Sequence, residues 1–206
     1  MRTILYLVRH GETEWNKEYR FQGRTDIPLS KEGMIQAEKV GQRLKDKFDV
    51  IYTSPLTRAV QTAEIISKTS SMSPIIYDNL IEVDFGEWEG LTFEQVERDY
   101  AKEYKLWKTD ENLGPILGGE QNMKNAAIRG KKALLDIVSK NKGKNIVVVA
   151  HGAIIKASLI GIFDLKVNMI QHITLTNTSI TTLEFSGDDN EKPLIRGLND
   201  RWHLKI

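Results

Sequence analysis

Two runs of the chain end an apolar stretch in histidine followed by glycine: Leu5-Tyr6-Leu7-Val8 leads into Arg9-His10-Gly11, and Ile146-Val147-Val148-Val149-Ala150 leads into His151-Gly152. A neutral imidazole is a competent nucleophile near neutral pH. An adjacent guanidinium disfavours protonation of that ring and offers several donors to an oxyanion. Gly11 is read as the residue that lets backbone N–H groups approach the same anion. Arg58, after Ser54-Pro55-Leu56-Thr57, falls in the first turn of a helix, where a cation opposes the helix dipole unless an anion binds there. A phosphoryl group suits this set. The bland alternatives are structural histidines and an exposed arginine. Two histidines placed alike, with Arg9 and Arg58 beside them, favour one shared pocket. His172 and His203 lack such company and read as structural or exposed.

Metal binding is the rival chemistry for histidine. The chain contains no His-Glu-x-x-His pair and no closely spaced set of His and carboxylates, so no metal site is expected. The absence of cysteine removes disulfides, thiolate metal sites and a cysteinyl-phosphate route together. Neither a Gly-Lys-Ser/Thr phosphate loop nor a Gly-x-Gly-x-x-Gly fingerprint occurs, and no cofactor is expected. A formal net charge of +1 gives no general attraction to nucleic acid or membranes, so anion binding must be local. The first residues lack a cleavage signal, and no apolar run approaches the roughly 20 residues that span a bilayer. A cytoplasmic location is the expectation.

The elements that must position these residues follow from periodicity. Strands are expected at 5–9, 50–53, 74–77 and 146–150. Ser30 reads as the N-cap of a helix carrying Ala37, Val40, Gly41 and Leu44, and a second helix carries Ala59, Thr62, Ala63 and Ile66. Thr92 and Gln95 form a capping box opening a helical region to about residue 109. A long amphipathic helix is expected over 120–141 through Met123, Ala127, Ala133, Leu134, Ile137 and Val138, and another over 153–162. Residues 13–29 read as an ordered loop over the sheet edge, 110–119 as a second loop, 173–185 as β structure, 186–190 as a turn, and Leu194-Ile195 as a hairpin or edge strand. Trp15, Trp88, Tyr100, Tyr104 and Trp107, with Phe21, read mostly as packing.

Alternating strands and helices predict an α/β class, a three-layer α/β/α sandwich with a mostly parallel central sheet. The 206 residues suffice for one domain, 1–206, with a helical and loop insertion at about 80–120 covering the active site. In such sheets ligands bind at the carboxyl ends of the strands.

Leu7-Val8-Arg9-His10-Gly11-Glu12-Thr13, Ser54-Pro55-Leu56-Thr57-Arg58-Ala59 with Gln61-Thr62-Ala63, Leu80-Ile81-Glu82 with Phe85-Gly86-Glu87-Trp88-Glu89-Gly90, Val149-Ala150-His151-Gly152 and Asn177-Thr178-Ser179-Ile180 occur in this order. Together they resemble the histidine phosphatase superfamily, the phosphoglycerate-mutase-like group, nearest its broad-specificity and α-ribazole phosphatase branch. The resemblance implies that His10 accepts the phosphoryl group, that Arg9, Arg58 and His151 surround its oxygens, and that Glu82 is the acid for the leaving group and then the base for water. Asn16, Gln22, Gly23 and the Gly152 backbone are implied as further phosphate or substrate contacts. Glu82 must carry a proton in the first step, with Asp84 or burial as the expected cause.

The implied activity is a metal-independent phosphomonoesterase hydrolysing small organic phosphates through a phosphohistidine. Its partner would be a small phosphorylated metabolite; neither nucleic acid nor membrane is expected, and a homodimer is compatible with the reading. The alternatives are a cofactor-dependent phosphoglycerate mutase and a non-catalytic phospholigand-binding protein. Against the mutase, the stretch after Glu82 is acidic and aromatic, Ala153 follows His151-Gly152 where mutases have Asn, and residues 100–119 offer Lys102, Lys105 and Lys108 but no arginine pair. Against the binder stands an acid beside a nucleophile.

Overall fold

The computed structural model describes residues 1–70, 72–114, 116–188 and 191–205. The chain begins with β1 (Thr3–Arg9), the short α1 (Glu14–Lys17) and α2 (Lys31–Leu44), whose N-cap Ser30 takes the Gly33 N–H as expected. Then come β2 (Val50–Thr53), α3 (Thr57–Ser67) and a two-residue β3 (Ile75–Ile76), shorter than the strand expected over 74–77. Helices α4 (Phe93–Asp99) and α5 (Ala101–Thr109) follow, the first opened by the Thr92–Gln95 capping box. Next are α6 (Met123–Lys140), β4 (Asn145–Ala150), α7 (Gly152–Phe163), β5 (Ile180–Phe185) and β6 (Leu194–Asp200).

The six strands form one sheet in the order β3-β2-β4-β1-β5-β6. Neighbours among β3, β2, β4 and β1 pair parallel, whereas β5 runs antiparallel to both β1 and β6. The alternation along the strands divides two apolar layers. Leu5, Leu7, Ile146, Val148 and Ala150 face a core shared with α6 and α7, and Val8, Ile51, Val147 and Val149 face one shared with α2 and α3. Burying each such side chain contributes about 1.5–3 kcal/mol. That two-sided burial is why β4 is an uninterrupted apolar run.

Three expectations are corrected. Residues 173–179 precede β5 rather than forming strand, and Val167–His172 is a 3-10 helix with no apolar period to announce it. The partner of β5 extends well beyond Leu194-Ile195, to Asp200. The segment 13–29 is not all loop: Thr13 caps α1 with its own capping box, and Arg20 and Phe21 make isolated bridges to Thr92 and Glu89. Of the expected turn, Asp189 and Asn190 lie outside the described residues.

Candidate active site

Register decides which side chains meet. Arg9 lies opposite Ala150 in the parallel β1–β4 pair, so the next residues, His10 and His151, leave adjacent strand ends together. Their ring centroids are 5.1 Å apart. Thr53 pairs with Val149 one strand further over, which delivers Ser54 to the same edge.

His10 is buried, and its Nδ1 lies 2.7 Å from the Gly11 carbonyl oxygen. A carbonyl only accepts, so Nδ1 carries the hydrogen and Nε2 keeps a free lone pair. Burial pushes this imidazole well below its usual range, and the charges of Arg58 and Arg9 push it further. His151, fully buried, has the opposite tautomer: the Arg58 Nε–H donates to its Nδ1 at 3.2 Å, leaving Nε2–H to donate to Ser54 Oγ at 2.6 Å. Burial foremost, then Arg58, holds it neutral by pushing its pKa well below the ordinary value.

Arg58 is completely buried, which excludes the exposed-arginine reading. Its Nη1 donates to Thr25 O at 2.9 Å and its Nη2 to Gly23 O at 2.6 Å, tying the loop before α2 to α3. Burial pushes its pKa down to about 10, which still leaves the guanidinium charged at neutral pH. Arg9 donates from Nη1 to Leu175 O at 2.7 Å, while its buried Nε has no partner among the described residues. An orphaned buried donor costs about 1–3 kcal/mol, and an oxyanion is the group that would satisfy it.

Glu82 reaches the first turn of α7. Its Oε1 accepts from Val83 N at 2.9 Å and Ile154 N at 2.8 Å, and Oε2 accepts from Ala153 N at 3.1 Å. Asp84, expected to act on it, turns elsewhere: its carboxylate takes the Gly86 N–H and pairs with Arg24. The backbone behind Glu82 is held by Arg129, whose Nη1 donates to Ile81 O at 2.7 Å and whose Nη2 meets Glu120 at 3.2 Å.

Arg9, His10, Asn16, Gln22, Gly23, Arg58, Glu82 and Gly152 all line one cavity of about 530 Å³. His151 alone of the expected set stands behind the wall, its two nitrogens occupied. Asn16 and Gln22 are partly committed: Oδ1 of Asn16 accepts from Asn177, and Oε1 of Gln22 accepts from Thr13. The outer wall is apolar, with Phe21, Phe85, Phe93, Trp107, Met123 and Leu175. Phe21 and Trp107 therefore do more than pack, while Trp88 and Tyr104 are buried as expected. His172 is exposed and His203 buried, and neither lines the cavity.

Three participants escaped the sequence reading. Ser54 Oγ meets His151 Nε2, Arg129 anchors the Glu82 segment, and Lys156 lines the cavity. Lys156 alone left a usable signal, because four residues after Gly152 is the same helix face. Gly11 is a correction. Its N–H donates to Thr62 Oγ1, and a Cβ there would strike the backbone of Gly33, so close packing against α2 explains the glycine.

Among the described residues no group of three or more His, Cys, Asp and Glu is placed to hold a metal ion, and no helix is long and apolar enough to cross a membrane. A model of the histidine phosphatase superfamily, branch 1, matches residues 5–200. An uncharacterised phosphatase, PhoE, of Bacillus subtilis (strain 168) is 37% identical over 204 residues, covering 98% of this chain and 97% of its own. Phosphoserine phosphatase 1 of Hydrogenobacter thermophilus is 30% identical, over 97% of this chain and 93% of its own. The crystal structure of a phosphoserine phosphatase mutant from Entamoeba histolytica in complex with phosphoserine aligns with a TM-score of 0.90 and 37% identity, covering 98% of this chain and 99% of that one.

Proposed function

The chain belongs to the histidine phosphatase superfamily, branch 1, and as a phosphatase of small organic phosphates it needs one group to receive the phosphoryl; we propose that this group is His10 Nε2. The observation that carries the assignment is the Nδ1–H bond to Gly11 O, which leaves Nε2 unprotonated in a wall lined by two guanidiniums. In-line attack of Nε2 on phosphorus breaks the ester P–O bond and forms the N–P bond. Arg9 and Arg58 take up charge on the equatorial oxygens, the former through its orphaned Nε. His151 completes the group by accepting the Arg58 Nε–H at its Nδ1, which orients that guanidinium.

Glu82 supplies the proton to the departing alkoxide. Its Oε1 already accepts two backbone N–H bonds while Oε2 accepts one, so Oε2 is the atom with a lone pair left for that proton. The resulting carboxylate then takes a proton from water, whose oxygen attacks the phosphohistidine and regenerates the imidazole. Asn16, Gln22, Gly23 and Gly152 border the same volume as secondary contacts. The phosphoserine named for two relatives suggests a phosphorylated metabolite with a short carbon chain as substrate. Hydrolysis is favoured over return of the phosphoryl to a second metabolite because Lys102, Lys105 and Lys108 are exposed and outside the cavity lining.

Replacement His10→Ala should abolish hydrolysis of p-nitrophenyl phosphate while leaving the circular dichroism spectrum intact. The unaltered protein, quenched during turnover, should carry an acid-labile phosphoryl group that the variant lacks. Stable phosphorylation of the variant would refute the assignment.

A further inference from the structure

Four cationic side chains line the cavity: Arg9, Arg20, Arg58 and Lys156. Three of them are committed. Arg9 is held by Leu175 O, Arg20 by Glu18 and Gly90 O, and Arg58 by Gly23 O, Thr25 O and His151. Lys156 is half-buried and makes no hydrogen bond or ion pair among the described residues. An ordinary surface lysine packs its stem and keeps its ammonium in water. This one projects from the same face of α7 as Gly152 and Ala153, which border the proposed phosphoryl pocket, about one helical turn or ~5 Å further along.

Charge bookkeeping gives it a purpose. Among the described residues the only acid lining the cavity is Glu82, whose oxygens already accept the Val83, Ala153 and Ile154 N–H groups. When Glu82 carries the proton needed by the leaving group, Arg9, Arg58 and Lys156 confront a phosphoryl dianion, and one positive charge is left over. Arg9 and Arg58 are the two nearer the acceptor histidine, each acting on it directly. The unmatched charge is therefore Lys156, on the cavity wall with Gly152 and Ala153.

We propose that Lys156 is a specificity-determining residue that binds a carboxylate on the organic part of the substrate, roughly one helical turn from the phosphorus. The assignment rests on the phosphatase reading of the cavity and names the substrate class within it: phosphomonoesters of short hydroxy acids rather than of neutral alcohols. Burial foremost, then Arg9, lowers the Lys156 pKa, against an opposing pull from Glu82, so a bound carboxylate would favour the charged ammonium. The expected contribution is selectivity, since the Lys156 contact is remote from the bonds that change.

The test is a matched pair of ligands, 3-phosphoglycerate and glycerol 3-phosphate, which differ by a carboxylate against a hydroxymethyl group. Calorimetric titration of the full-length His10→Ala protein separates binding from turnover. The carboxylate ligand should bind at least 10-fold more tightly. Adding Lys156→Met should bring the ratio of affinities to within 2-fold of unity, and Lys156→Arg should retain most of the preference. An unchanged ratio in Lys156→Met, equal binding of both ligands by the parent, or no measurable binding of either would overturn the proposal. Should Lys156→Met fail to fold, Lys156→Gln takes its place. Hydrolysis of p-nitrophenyl phosphate by the unaltered enzyme tests the phosphatase reading separately: failure there with the affinity ratio intact removes that reading and leaves the carboxylate site.

Discussion

The neutral state of His10 is fixed by where it stands. Unfolded, the ring takes up a proton near pH 6.5; folded, burial and two guanidiniums delay protonation to a much lower pH. Below pH 6.5 the unfolded chain thus binds more protons than the native one, and stability falls with pH by up to about 1.4 kcal/mol per pH unit for this histidine. Denaturation curves of His10→Gln should show a shallower loss between pH 6.5 and 5 than the unaltered protein. Arg58 offers a second measurement. Lysine cannot reproduce a fork reaching Gly23 O, Thr25 O and His151, so Arg58→Lys should cost about 2–4 kcal/mol in thermal unfolding and at least ~100-fold in kcat/KM. Residue identity made His10, Arg9 and Arg58 legible in the sequence, because few other roles suit a cation at a strand end. The tautomers were not legible, since each is set by a tertiary or main-chain contact that residue identity does not announce: Gly11 O accepts from His10 Nδ1, and the Arg58 Nε–H donates to His151 Nδ1.

At the level of elements, two glycines set the closeness of β1 to α2. A Cβ on Gly11 would meet the Gly33 carbonyl, and one on Gly33 would meet the Glu12 carbonyl. Gly33→Ala should therefore destabilise the fold by about 1–3 kcal/mol in denaturant titration despite raising helix propensity, and should lower activity by displacing the turn after His10. Periodicity located α2, α3, α6 and α7 because each has an apolar face, and it located β1 and β4 because both are buried on two sides. It overreached at β3, which is two exposed residues on an edge, and was silent on 167–172, a 3-10 helix whose Ile170 and Gln171 line the cavity. The arrival of Glu82 at the α7 N-terminus could not be read either, because nothing local to residue 82 points to residues 153 and 154.

For the molecule as a whole, the fold brings residues 9–10, 54–58, 82 and 151–153 together from four separate stretches, with parallel pairing of β1, β4 and β2 aligning three of them. In the mechanism proposed above, positive charge for the transition state comes from Arg9 and Arg58, both held by backbone carbonyl groups. Hydrolysis of an aryl phosphate should accordingly be unchanged, within about 2-fold, after dialysis against a chelator; a rate restored only by added divalent cation would contradict this.

β1 is flanked on both sides, by β4 and by β5, and the amide of His10 extends that ladder by donating to Ala150 O at 2.9 Å. Such an amide is tied into the middle of the sheet. In deuterated buffer its hydrogen should be among the last to exchange, at a rate set by global opening. Motions confined to the surrounding loops would leave the main chain of His10, and with it the root of the imidazole proposed to accept the phosphoryl group, in place.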